Sequence, residues 1–237
     1  MLRQPGVRQR RDLFHFAVSE LDSTCCPIDG ESPITIGELM PISLVQQGTL
    51  SEFLFIILTV LGSNGVLEAS RPATDDDRRD ADVHRRGDFW LDLGFQIKSA
   101  MQVGHPWAAD RLHIRFTVHK DRLVTHPLFF YFFAFLDPRI MRFADPVFIV
   151  PSAEVHQHAI PHLHGDVWHF DFHASLGPKA HDRWFPHRVD TLGVGNRILA
   201  IIDEFEKSQS LSPLAKSGIM LPRPSDLLLV RRLAQAA

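Results

Sequence analysis

The chain has a single tyrosine among its 237 residues, only two cysteines, no excess of positive charge and no apolar run long enough to span a bilayer. Each shortage excludes something. Cys25 and Cys26 are adjacent and no Cys-x-x-Cys occurs, which excludes a disulfide framework and points to a reducing, cytoplasmic location. With 25 basic against 28 acidic side chains the formal charge is −3, so no global field draws the protein to nucleic acid. Contact with nucleic acid would have to come from a local patch or a bound metal. The most apolar run, Phe53 to Leu61, falls short of the roughly 20 residues that cross a membrane, and is expected to be a buried helix or strand. Arg3, Arg8, Arg10 and Arg11 are not followed by a long apolar stretch, so no signal peptide is expected.

What is present is the composition of an ordinary globular protein, 45% hydrophobic and 22% charged, enriched in phenylalanine (18) and histidine (14). Residues 1–40 lack periodicity and are expected to be a weakly structured lead-in, with Met40 a second candidate start. Residues 41–207 are expected to form one α/β domain, and 208–237 a Pro- and Ser-broken tail with a short helix near Leu227 to Leu233.

Within the domain, Thr49 or Ser51 reads as the N-cap of a helix in which Glu52 is a first-turn acid and Phe53 to Leu61 is buried on most faces. Gly62-Ser63-Asn64-Gly65 ends it. After the acidic loop Asp75 to Asp77 comes an expected hairpin, with strands Asp80 to Arg85 and Phe89 to Lys98 around Arg86-Gly87-Asp88. Leu112 to His119 and Trp168 to His173 alternate apolar and polar residues, as half-buried strands do. Leu128 to Leu136 and Val147 to Val150 are continuous apolar runs of central-strand character, and Asn196 to Phe205 has helical spacing. The fold class is therefore α/β, a mixed central β-sheet flanked by helices.

The hairpin carries the chemistry. Gln96 and Lys98 lie two apart and share a strand face, as do Asp80 and Asp82 on the partner strand. Pairing sets an acid beside a Gln-x-Lys pair, and Glu52 from the preceding helix can close the group. Phosphodiester hydrolysis needs oxygen ligands for a divalent cation, an oriented water and a cation near the developing charge. A carboxylate or two and an amide carbonyl suit Mg²⁺, and Lys98 supplies the compact ammonium.

This order, helix acid, strand Asp, then Gln-x-Lys, resembles the PD-(D/E)XK (restriction-endonuclease-like) nucleases in their QxK variant, with Glu52, Asp80, Gln96 and Lys98 in the motif positions. The resemblance implies a restriction-endonuclease-like core and a metal-dependent endonuclease acting on DNA. Mg²⁺ or Mn²⁺ would be held by Glu52, Asp80 or Asp82, and Gln96, with Lys98 activating water or stabilising the transition state. Arg79 replaces the motif proline, and Gln96 the usual acid, which removes one negative ligand. Many such enzymes are dimers, so a homodimer is raised too, although no interface signal stands out. Other protein partners are not indicated.

The main rivals are a nuclease-like module that has lost catalysis and binds nucleic acid or protein, and a His-based zinc protein. His156, His158, His162, His164, His169, His173, His181 and His187 would serve the second. Pro161 and Gly165 make most of these loop residues, with His169, Asp171 and His173 the solvent face of a strand. Arg78, Arg79, Arg85 and Arg86 are equally consistent with phosphate contacts and with solvated charges balancing Asp75 to Asp77. Phe129 to Phe135 is expected in the core, and the Gly193-Val-Gly195 step is too short to define a phosphate contact.

Overall fold

The computed structural model describes residues 42–73, 78–88, 90–104 and 110–208. The expectations for residues 1–40, the Asp75 to Asp77 loop, Phe89 and the tail helix lie outside them.

The first helix, α1 (Leu44–Gly62), begins two turns earlier than Thr49 or Ser51. Its N-cap is Ser43, whose hydroxyl accepts from the Gln46 backbone N–H while the Gln46 side chain accepts from Ser43 N–H. That reciprocal capping box satisfies terminal donors in a stretch whose apolar residues, Leu44 and Val45, stay exposed. Glu52 is consequently an interior residue of the helix, not a first-turn acid. Only the stripe Ser51, Phe55, Thr59 is buried, whereas Phe53, Ile57 and Leu61 are at least half exposed, which corrects the expectation of burial on most faces. The whole 19-residue helix is long and apolar enough, by length and composition alone, to cross a membrane. In the fold it lies on β-structure through its buried stripe.

Six strands form the central mixed sheet in the order β1 (Leu67–Ser70), β2 (Ala81–Arg85), β3 (Leu93–Ala100), β5 (Phe129–Asp137), β6 (Arg142–Pro151), β9 (Arg188–Val189). Only β3 and β5 run parallel. The hairpin β2–β3 is present, with Ala81 opposite Phe95. Its second strand starts at Leu93, later than the expected Phe89, because the chain after the Arg86-Gly87 turn runs through Asp88 and Asp92 before rejoining the sheet. Gly87 sits at φ +75°, which the turn requires. Between β3 and β5 the chain leaves to make β4 (Arg111–His119), which pairs with β8 (Val167–Ser175) and, beyond it, β7 (His162–His164) in a second, three-stranded sheet.

The layers follow from alternation along the strands. Phe95, Ile97, Phe130 and Phe132 point to one face and pack with Phe55 of α1 and Ile198 and Ile202 of α3 (Val194–Ser208). Phe129, Tyr131, Phe133, Phe148 and Val150 point to the other, against Leu112, Ile114, Phe116, Phe170 and Phe172 of the second sheet and Val155 of α2 (Ser152–His158). The buried members of this second cluster include none from β1, β2 or β3. The second layer therefore covers the β5–β6 half of that face, and the β1–β3 half carries polar side chains.

Gly195 sets the fit of α3 on α1: a Cβ there would meet Thr59 O at 2.5 Å and Ser63 N at 2.3 Å, both main-chain atoms. Its role is helix packing, not a phosphate contact. Gly195→Ala is expected to force the helices apart and destabilise by about 1–3 kcal/mol, read as a lowered urea midpoint at unchanged slope.

Candidate functional site

Side chains at Asp80, Asp82 and His84 on the first hairpin strand share a face with Gly94, Gln96 and Lys98 on the second, because Ala81, Val83, Phe95 and Ile97 are spent on the opposite core. This polar face holds three acid–base groups in a row. At one end the Asp80 carboxylate accepts from the Gln96 amide at 2.9 Å and from the Ile97 backbone N–H at 2.7 Å, with Lys98 Nζ 3.8 Å away. In the middle Arg79 donates to Asp82 at 2.8 Å. Gly94 makes room for this pair, since a Cβ there would lie 2.7 Å from the Arg79 side chain. At the other end His84 lies 3.2 Å from both Glu68 and Asp92.

Of the residues singled out in the sequence, Asp80, Gln96 and Lys98 thus form one group, half-buried at the Asp80 and Lys98 side chains. Asp82 faces the same way but carries its own ion pair. Glu52 extends from α1, the helix packed on the opposite sheet face, and is paired with Arg71 at 2.7 Å. The flanking arginines also have partners: Arg85 bonds Asp203 of α3, and Arg86 lies 3.8 Å from Glu68.

The sequence reading missed Tyr131. It is the register partner of Gln96 on β5, so its ring stands on the same face and continues the polar row into the second core. Burial pushes its hydroxyl well above its ordinary range; Arg78 opposes that shift and Asp80 adds to it. The hydroxyl is 3.0 Å from His156 Nε2, and His156 Nδ1 is 2.7 Å from Thr125 Oγ1. Burial lowers the His156 pKa to about 4, which keeps the ring neutral. One signal was available: the only tyrosine of the chain interrupts a phenylalanine run at a position of defined parity.

No family model and no curated protein matches this chain. It is similar to a solved bacterial homing endonuclease, I-Ssp6803I. The TM-score is 0.44 at 10% identity, over 71% of this chain and 99% of that one. The functional reading therefore rests on the side chains.

The histidine cluster is less of a loop than expected. His156 and His158 are on α2, and His162 and His164 form β7, because Gly165 at φ +60° makes a tight turn back into β8 rather than a break. His169, Asp171 and His173 do occupy the open face of β8. The alignment of β4 adds His113, giving a group with Asp171 and His173 whose donor atoms lie within 4.8 Å of one another.

The buried neutral imidazole makes stability pH-dependent. Between the ordinary histidine range near 6.5 and about 4, the unfolded chain takes up a proton that folded His156 refuses. Stability therefore falls as pH drops through that window. Thermal melts from pH 7 to 4 should show this loss, with His126 and His187, also lowered by burial, adding to it. His156→Gln should flatten the profile; an unchanged slope would remove His156 as its main source.

Proposed function

We propose that this protein is a metal-dependent phosphodiester hydrolase, an endonuclease-like enzyme acting on DNA. The observation that supports this best is the grouping of Asp80, Gln96 and Lys98 on the polar half of the sheet face, with Gln96 buried and the other two partly exposed. Its donors are a carboxylate and an amide carbonyl, all oxygen, which fits a hard dication such as Mg²⁺ or Mn²⁺. Such an ion, when bound, supplies charge neutralisation and an oriented water. Asp80 and the Gln96 carbonyl are its proposed protein ligands, with Asp82, which faces the same way, as a further carboxylate.

Lys98 keeps its ammonium beside the Asp80 carboxylate. There it meets the charge that builds on the non-bridging phosphate oxygens as water adds to phosphorus and the bond to the leaving sugar oxygen breaks. The water's proton passes to solvent and the departing alkoxide takes one up. The Ile97 N–H and the Gln96 amide hold the Asp80 oxygen still, so the acid is oriented before substrate arrives.

A second reading is favoured by the same two hydrogen bonds. Both end on Asp80 Oδ2 and order the carboxylate from within the chain, as befits a nuclease-like module that binds nucleic acid or protein without cutting.

Incubating the purified protein with supercoiled and linear DNA, with Mg²⁺ or Mn²⁺ and with EDTA, separates the two. Metal-dependent nicking is expected, reduced at least about a hundredfold in Lys98→Ala and Asp80→Asn. Wild type as inert as Lys98→Ala would end the enzyme reading, and retained DNA affinity in a gel shift would then favour the binding module.

A further inference from the structure

We propose that His113, Asp171 and His173 form a site for a divalent transition-metal ion of the zinc class, on the outer face of the three-stranded sheet and separate from the Asp80 group. This goes beyond the nuclease reading and does not depend on it.

The strands build the site by register. His113 on β4 is the direct cross-strand partner of His173 on β8, and Asp171 lies two residues before His173 on the same face. The intervening residues Leu112, Ile114, Phe172 and Ala174 are buried toward the six-stranded sheet, so these three side chains face away from it. The two imidazoles stack with centroids 4.1 Å apart and planes at 17°. His113 Nε2 lies 3.1 Å from Asp171 Oδ1, and Arg115 donates to the same oxygen at 2.9 Å. Burial raises the Asp171 carboxyl, but the bonds from Arg115 and His113 outweigh it and hold the group below its ordinary range. The carboxylate is thus anionic and oriented.

The donor atoms lie within 4.8 Å of one another. Three ligands at a tetrahedral ion with bonds of roughly 2.0 Å stand about 3.3 Å apart, a closure that small side-chain rotations supply. Two imidazole nitrogens with one carboxylate oxygen select borderline ions such as Zn²⁺ or Co²⁺ over Mg²⁺. Three protein ligands at a partly exposed surface leave the remaining position to water or to an incoming donor. The alternative is an ion-pair network only, with His113 and Arg115 serving Asp171.

The test uses the full chain carrying Cys25→Ser and Cys26→Ser, so that thiolates contribute no metal signal. Equilibrium dialysis against Zn²⁺ and the visible spectrum with Co²⁺, both in excess Mg²⁺ to occupy the Asp80 group, should show one Zn²⁺ or Co²⁺ per chain. His113→Ala and His173→Ala should each weaken binding at least about tenfold, while His164→Ala leaves it unchanged. Zinc titration of the histidine ring nitrogen resonances reads the same site without altering a ligand, and should perturb the His113 and His173 rings. The proposal is overturned by the absence of stoichiometric metal, by binding that both alanine variants retain, or by perturbation of other rings instead.

Discussion

The structure depends on burying β5 on both faces. Phe129, Tyr131 and Phe133 enter one core and Phe130, Phe132 and Ala134 the other, so the strand cannot slip by one residue without exchanging every side chain between two different apolar environments. Aromatic contacts tie it to both sides: Phe132 lies edge-on to Phe55 with centroids 5.0 Å apart, and Phe133 stacks on Phe172 at 3.9 Å. Because β3 runs parallel to β5 with Gln96 beside Tyr131 and Lys98 beside Phe133, the fixed parity of β5 is passed to the hairpin. The direction in which Gln96 and Lys98 point is a consequence of phenylalanine packing one strand away.

The uneven reach of the second layer then decides what that direction leads to. Over β5 and β6 the face meets the sheet of β4 and β8 and is filled by aromatic rings. Over β1, β2 and β3 it carries Glu68, Asp82, His84, Gln96 and Lys98, with Asp80 at its end, arranged as alternating acids and bases. The Arg79–Asp82, His84–Asp92 and Lys98–Asp80 pairs keep only 15 to 28% of their side-chain surface exposed. Removing one partner would leave the other poorly hydrated, so the pairs hold one another in place. Tyr131 marks the border, with its ring in the core and its hydroxyl committed to neutral His156.

Much of this was legible where one residue type repeats at a strand period. The alternation of Leu112 to His119 and of Trp168 to His173, the apolar run of β5 and the Gln-x-Lys spacing each defined a local element and its facing, and a mixed sheet flanked by helices is what the structure shows. What was hidden depends on partners distant in sequence. Period two says that β4 has a polar face but not that β4 leaves the central sheet, nor that His113 will stand opposite His173. The start of α1 was obscured because Ser43 and Gln46 cap each other in a stretch without apolar spacing. The choice between Asp80 and Asp82 could not be read either, since both share a face. It is Arg79, three residues before Asp82 and laid across Gly94, that engages one and leaves the other to Gln96 and Lys98.

Glutamine at position 96 has a physical consequence that an acid would not. Two carboxylates at hydrogen-bonding distance repel unless a proton or a cation lies between them. An amide instead donates to Asp80 at 2.9 Å, and together with Ile97 N–H and Lys98 it surrounds Oδ2 of the acid with groups of the chain itself. The group is therefore organised without a metal. A cation that took Asp80 together with the Gln96 carbonyl would have to turn the amide over, and it would gain one negative ligand fewer than from an acid. Under the proposed nuclease reading, the same substitution that stabilises the resting site weakens its grip on the ion, and catalysis would need a higher metal concentration than with an acid at this position.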